Sequence, residues 1–372
     1  MHNSSFHEKP FDEGTLCKLE LYRRYIRTWL PVFINNRHID RIQIFDFFAG
    51  PGSDSVGNPG SPLIAAEEIR KALDSNKSRL RSELKITLML NEKDSEKYQI
   101  LQKTSSKIRA MNPEIDVLVR NQDFQPLYVD RVHSMRQNRT ANFLLLDQFG
   151  LKEVPQKIFH SLVSLDKTDF IFFVSAAIVN RMKEDRILMP YLPPIQPEEW
   201  TKMNGSNVTR ILRDAYERWL PQNNQYFLGH FSIKKGGNVY GLIFGSHHPL
   251  GIYKFLNAAW KIDGICGEAN FDIDGDQIDP TSPALFEDMN KPKKLHVFEK
   301  DLEDRLLQRV FGTNHDLFIF GLTNGMLPKH VKDLIKRLCN EKKIPPQKLN
   351  ISYDAWNAPS QEIQYNREEG SL

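Results

Sequence analysis

Cysteine is scarce in this 372-residue chain, which holds Cys17, Cys266 and Cys339 and no others. Their wide spacing excludes a CxxC metal pair and a disulfide framework, and makes a reducing cytoplasm the simplest location. Long apolar runs are missing as well, so no membrane span is expected, and the opening MHNSSFHEKPFDEG lacks the apolar segment of a secretory signal. There is little excess of one charge. Fifty Lys and Arg against 47 Asp and Glu leave a formal net charge of +3, which permits nucleic-acid binding without requiring it. Internal repeats are absent. A hydrophobic fraction of 40% and a charged fraction of 26% are those of a soluble globular protein, long enough for one large domain or a large and a small one.

The most informative stretch is QIFDFFAGPG, residues 43–52. Ile42, Ile44, Phe45, Phe47 and Phe48 form a β-branched and aromatic run that ends at once in Ala49, Gly50, Pro51 and Gly52. This reads as a strand buried on both faces followed by a tight glycine turn. Such a turn lets backbone approach a ligand closely, and open α/β sheets hold nucleotide-like ligands at this edge. Plain packing explains a glycine turn equally well when it is taken alone.

Elsewhere, apolar residues at helical spacing over 15–33 predict an amphipathic helix leading into that strand. A helix is expected over 62–73, its proline fitting the first turn. Strands over 84–90, 115–120, 142–146 and 169–176 then alternate with helices over 95–111, 126–137 and 159–165, the pattern of a parallel sheet covered on both faces. Prolines 190, 193, 194 and 197 interrupt the pattern, and 184–226 reads as a helical insertion. A strand over 239–244, the segment SHHPLG and a helix over 252–260 complete a domain spanning 1–263. A Gly/Asp/Pro-rich linker over 264–283, a small domain over 284–357 and a flexible tail over 358–372 follow.

Four acids fall at carboxyl ends of predicted strands: Asp46 within the first, Glu92 after the second, Asp123 after the third and Asp147 after the fourth. Each alone reads as a cap or turn former. Together they share one sheet edge with the glycine turn. S-adenosylmethionine suits that edge, because a glycine turn gives room for its methionyl end and ribose. A carboxylate after the second strand can accept both ribose hydroxyls, and one after the third can accept from the adenine amino group. A dinucleotide is disfavoured, since GxGxxG needs a third glycine close by and here Ser53, Asp54 and Ser55 follow Gly52.

These placements resemble class I S-adenosylmethionine-dependent methyltransferases, over residues 6 to about 263. The resemblance implies a Rossmann-like α/β fold, a seven-stranded sheet with helices on both faces. It assigns Asp46, Ala49, Gly50, Pro51, Gly52, Glu92 and Asp123 to the cofactor. Asp147-Gln148-Phe149-Gly150 stands where amino-methyltransferases carry a D/N-P-P-Y/F tetrad, whose acid accepts from the target amine and whose aromatic stacks on the base. Asp147, Gln148 and Phe149 are thus the catalytic candidates, with Gln148 replacing the first proline. A closer resemblance covers most of the chain. FDEGTLCKLELYRRYIRTW, FDFFAGPG, GSP at 60–62, NEKD at 91–94, DQFG and SHHPLG are similar to the three-Cys-motif partner protein family. That family is encoded beside a protein with a three-cysteine, radical-enzyme-like motif, which becomes a candidate partner. Its tetrad, Asp-Pro-aromatic-Gly, leaves Gln148 as the departure.

Lys18 falls where that family keeps a lysine, and a cation there could pair with the cofactor's carboxylate; a solvated lysine is the alternative. His247 and His248 are candidates for the substrate mouth. The carboxyl-terminal segment resembles a winged helix, in which Lys329, Lys332, Lys336 and Arg337, with His330, Lys342 and Lys343, could contact phosphates. A basic face docked on protein is the other reading. The expected activity is methyl transfer from S-adenosylmethionine to an amino group of a nucleic-acid base, DNA or RNA. The competing expectation is an inactive or non-canonical binding protein serving a neighbouring radical-type enzyme or defence system.

Overall fold

The computed structural model describes residues 9–147, 153–176, 179, 189–222, 225–278 and 291–366. Two compact units divide the chain, Met1–Lys254 and Phe255–Leu372. The first is built on a seven-stranded sheet of order β3-β2-β1-β4-β5-β7-β6. Its strands are β1 (Arg41–Asp46), β2 (Lys85–Asn91), β3 (Asp116–Arg120), β4 (Thr140–Leu146), β5 (Thr168–Ser175), β6 (Phe227–Lys235) and β7 (Asn238–Ser246). The first five run parallel, while β7 is antiparallel to both β5 and β6.

This order sets the site. The chain winds from β1 outward to β3, then returns to lay β4 on the other flank of β1. Asp46 pairs with Leu90 on one side and Leu145 on the other. The reversal opens a crevice at the carboxyl ends of β1 and β4, where open α/β sheets bind ligands. The DFFAGPG turn and Asp147 both emerge there.

Helix α1 (Glu13–Ile34) starts where Asp12 accepts the Thr15 N–H at 2.8 Å, an N-cap that satisfies an otherwise orphaned donor. Its buried stripe of Tyr22, Tyr25, Ile26, Trp29 and Leu30 covers one sheet face, with Tyr22, Tyr25 and Trp29 all against the Phe143 ring. Leu16, expected in that stripe, is 46% exposed. Helices α2 (Ser61–Ser75) and α3 (Ser95–Met111) follow the glycine turn and β2. The opposite face buries Phe45, Phe47, Leu144, Leu146, Phe170 and Phe172. These pack with Phe124 and Tyr128 of α4 (Phe124–Met135), Phe159 of α5 (Gln156–Val163) and Tyr216. Rings this large, fully buried, account for much of the sheet's apolar stabilisation.

Two expectations for 184–235 change. Of the predicted insertion, 189–222, 225 and 226 are described. They hold α6 (Pro197–Lys202) and α7 (Val208–Glu217), and α7 buries Val208, Leu212 and Tyr216 in the sheet's own core. The segment is therefore a crossover. Strand β6 lies outside the sequence-based expectation. It joins β7 through Gly236-Gly237, a two-residue glycine hairpin with Gly236 at φ 57°.

Helix α8 (Pro249–Ile262) carries the chain into the second unit, which contains α9 (Lys293–Leu307), α10 (Asn314–Thr323), α11 (Pro328–Asn340) and α12 (Tyr353–Trp356). Leu302 and Leu306, Leu317 and Leu322, and Val331, Leu334 and Leu338 are buried on the first three of these helices. α10 and α11 approach closely because Gly321 has no side chain; a Cβ there would lie 2.8 Å from Val331 Cγ2. Part of the expected linker is ordered. Asp263 accepts N–H groups from Ile265, Cys266, Glu268 and Ala269, and Cys266, Ala269 and Ile273 are buried. The expected flexible tail is also tied down as far as 366. Glu362 bridges Thr313, Ile363 is buried, and the Tyr365 hydroxyl donates to Phe311 O at 2.6 Å.

Candidate cofactor and acceptor site

The glycine turn is held from both sides. Ala49 N donates to Asn91 O at 2.8 Å, and Gly50 N donates to Glu92 Oε2 at 3.0 Å. The other Glu92 oxygen accepts the Asp94 N–H at 2.8 Å. Gly50 and Gly52 adopt φ values of 60° and 97°, a region that side chains disfavour. Gly52 answers a second constraint. A Cβ there would meet Thr104 Cγ2 of α3 at 2.6 Å, and the Thr104 hydroxyl donates to Pro51 O at 2.9 Å. Gly52 is thus demanded by helix packing as well as by backbone conformation. Burial raises the Glu92 carboxyl above its usual range, while the Asp94 and Gly50 N–H groups pull it back.

Asp46 lies beneath the turn with no exposed surface. Oδ1 accepts the Phe48 N–H at 3.3 Å, but Oδ2 has no hydrogen-bond partner, and neither does the buried Tyr22 hydroxyl. Burial, reinforced by nearby Asp147, pushes the Asp46 carboxyl up to about 7, against Ser61, Phe48 and Lys18, which lower it. Burial and the Asp46 charge together raise the Tyr22 phenol well above its ordinary value. Lys18, one turn before Tyr22 on α1, forms an ion pair with Asp147 and stands 4.7 Å over the Phe173 ring. Their side chains are 17% and 28% exposed, so the pair is largely shielded. The structure therefore joins Lys18 to the proposed acceptor acid.

Asp123 caps α4 without a side-chain cap bond. It is solvent-facing and ion-paired with Lys93. Asn91, absent from the sequence-based candidates, links the ends of three strands. Its Nδ2 donates to Phe47 O at 3.1 Å and Gln122 O at 3.0 Å, and its Oδ1 accepts Gln122 N–H at 3.1 Å. A polar amide closing an apolar run was its signal. Gln148 and Phe149 lie outside the described residues. His247 and His248 require a correction. Because β7 runs antiparallel, Ser246 pairs with Phe227 and Asp169, at the sheet edge opposite the glycine turn. His247 there meets the Tyr226 ring at 4.5 Å, and SHHPLG does not line the Asp147 edge.

In the second unit, α10, a short turn and α11 form a helix-turn-helix. Lys329, Lys332 and Lys336 are exposed along one side of α11. Lys329 also stands 5.5 Å over the Trp260 ring, and His330 is buried against that ring at 4.3 Å. Arg337 departs from expectation. It bonds Glu299 at 2.5 Å and reaches Glu303 at 3.6 Å, so its charge is committed to α9. Lys343 likewise pairs with Glu303 and Glu341.

The strand order, with six strands running one way and an antiparallel β7 inserted between β5 and β6, is that of the class I methyltransferase sheet. A family model described as a GMT-like wHTH domain matches residues 270–347. No curated protein matches the chain. Among solved structures, the METTL16 MTase domain aligns at 12% identity and a TM-score of 0.31, covering 59% of this chain and 66% of that one, less than two thirds of its length. The N-terminal domain of human METTL16 in complex with SAH aligns at 12% identity and a TM-score of 0.32, over 62% and 70%. A SAM-dependent methyltransferase from Agrobacterium tumefaciens aligns at 7% identity and a TM-score of 0.35, over 61% of each chain. Among the described residues, no helix is long and apolar enough to cross a membrane.

Proposed function

We propose that the first unit binds S-adenosylmethionine and transfers its methyl group to an amino group of a nucleic-acid base, with the second unit holding the polymer. The observation that carries this reading is the meeting of Glu92, the Gly50 turn, Asp46 and Asp147 at one sheet edge. Glu92 would receive the ribose hydroxyls. Asp123 lies at the adjoining strand end for the adenine amino group, once Lys93 yields. Buried Asp46 adds an acidic group beneath the turn, suited to a ligand that brings a cationic group to that edge. When bound, the cofactor supplies a methyl group on a sulfonium sulfur. Asp147 would accept an N–H of the target amine, turning the nitrogen lone pair toward that methyl, a positioning effect. Phe149 is proposed to stack on the base, with Gln148 in the tetrad's second place.

For the polymer, the helix-turn-helix and the exposed Lys329, Lys332 and Lys336 support phosphate contact. The resemblance to the three-Cys-motif partner family supports a second reading, a binding protein for a neighbouring radical-type enzyme or defence system. The ion pair of Lys18 with Asp147 Oδ2 favours it, because a target amine must compete with an ammonium already on that carboxylate. Calorimetric titration with S-adenosylhomocysteine tests the cofactor half. Saturable heat is expected, and silence at millimolar ligand overturns it.

A further inference from the structure

Lys18 suits a cofactor carboxylate and Asp147 suits a target amine, yet the two are engaged with each other. The ion pair joins α1 to the end of β4, and its partners are mostly withdrawn from water. The Lys18 ammonium also stands 4.7 Å over the Phe173 ring, a cation–π contact beside the ion pair. Among the described residues, neither forms a second ion pair, although buried Asp46 feels both charges. An ammonium shared in this way is available in full to only one carboxylate at a time. The proposed ligand carries a single carboxylate, at the end nearest the glycine turn.

We infer that the Lys18–Asp147 pair is a latch that couples cofactor binding to release of the acceptor acid, an inference that rests on the proposed cofactor. In the latched state Lys18 holds Asp147 through Oδ2 and withholds that oxygen from a target amine. The ligand's carboxylate draws Lys18 away, and Asp147 Oδ2 becomes free to accept an N–H. The consequence is an order of events: cofactor first, target base second. A lone acid would receive bases whether or not a methyl donor was present.

The latch makes an unusual demand. Removing the acceptor acid should strengthen cofactor binding, because Lys18 then has no internal competitor. The test compares the full parent chain, Asp147→Asn, Lys18→Met and the double variant by calorimetry. Two probes are used: S-adenosylhomocysteine and its decarboxylated analogue, which keeps the amine and lacks the carboxylate. Asp147→Asn is expected to bind S-adenosylhomocysteine about fivefold more tightly than the parent, the scale of one shielded ion pair. The decarboxylated analogue should show no such gain. Lys18→Met should weaken S-adenosylhomocysteine alone, and adding Asp147→Asn to it should change nothing further.

Unchanged or weaker binding of S-adenosylhomocysteine by Asp147→Asn overturns the latch while leaving the cofactor reading intact. An equal gain for both probes overturns it too, since that reports a general charge effect. Absence of binding by the parent overturns the cofactor reading and the latch with it. Circular dichroism and melting of each variant identify loss of fold. Should Asp147→Asn not fold, Asp147→Ser serves in the same comparison.

Discussion

Asp46 Oδ1 receives the Phe48 N–H at 3.3 Å, while its second oxygen is buried with no close hydrogen bond and the Ser61 side chain near enough to favour its charge. The carboxyl is consequently pushed up to about 7. Folding then favours its protonated form. This contribution is fully present below the unfolded value near 3.8 and is lost as pH rises through about 7. The greatest loss is on the order of 4 kcal/mol, the size of such a shift. Asp46→Asn keeps the acceptor for Phe48 and abolishes the charge. Its melting temperature should gain on the parent steadily between pH 4 and pH 7, then level off. Asp169, raised by burial to about 6, acts in the same direction in both proteins and cancels in the difference. A gap that stays flat with pH would contradict the placement of Asp46.

The basic face of α11 divides into solvent-exposed charges and charges committed to α9. Changing Lys329, Lys332 and Lys336 to alanine should weaken nucleic-acid binding and lower the salt slope by about 2 to 3, near one for each phosphate no longer neutralised. Fluorescence anisotropy across a salt series measures this. Arg337→Ala should leave the slope nearly unchanged and lower stability modestly instead, because it removes one of two cations from each of Glu299 and Glu303, which keep Lys291 and Lys343. A large slope change in Arg337→Ala with none in the lysine variant would reverse the assignment.

Glu92 receives two backbone donors, from Gly50 and Asp94. Glu92→Gln retains one acceptor oxygen and should weaken S-adenosylhomocysteine about tenfold, equivalent to about 1.4 kcal/mol. Stability should fall by about 1 kcal/mol, the scale of one hydrogen bond. Calorimetry and urea unfolding read the two effects separately. Loss of stability with unaltered affinity would make Glu92 a brace for the turn alone.

Asn91 offers a contrast. Asn91→Ala unpairs Gln122 N–H and the Phe47 and Gln122 carbonyls at once. It should cost about 2 to 3 kcal/mol in urea unfolding, as disruption of a buried network does. An effect below the scale of one hydrogen bond would show that Asn91 does not join the strand ends.

The parallel half of the sheet was legible because buried strands and amphipathic helices alternate in composition and period. The acids at strand ends were legible for the same reason, since each follows an apolar run. Strand β6 was not. His230 interrupts its apolar run and Lys234-Lys235 end it, and only the Gly236-Gly237 hairpin marked it. The histidines of SHHPLG were misplaced because sequence spacing carries no strand direction. Arg337 and Lys18 were illegible for a different reason. A charged residue advertises its sign in sequence, whereas its partner depends on tertiary packing. For Arg337 that partner lay on α9, and for Lys18 at the end of β4.

The most direct measurement is transfer of labelled methyl from S-adenosylmethionine to DNA, RNA or protein offered together, by the parent and by Asp147→Ala. The account predicts label in a nucleic acid with the parent and none with the variant, which should still bind S-adenosylhomocysteine. Label in protein alone, or transfer that survives Asp147→Ala, would contradict it.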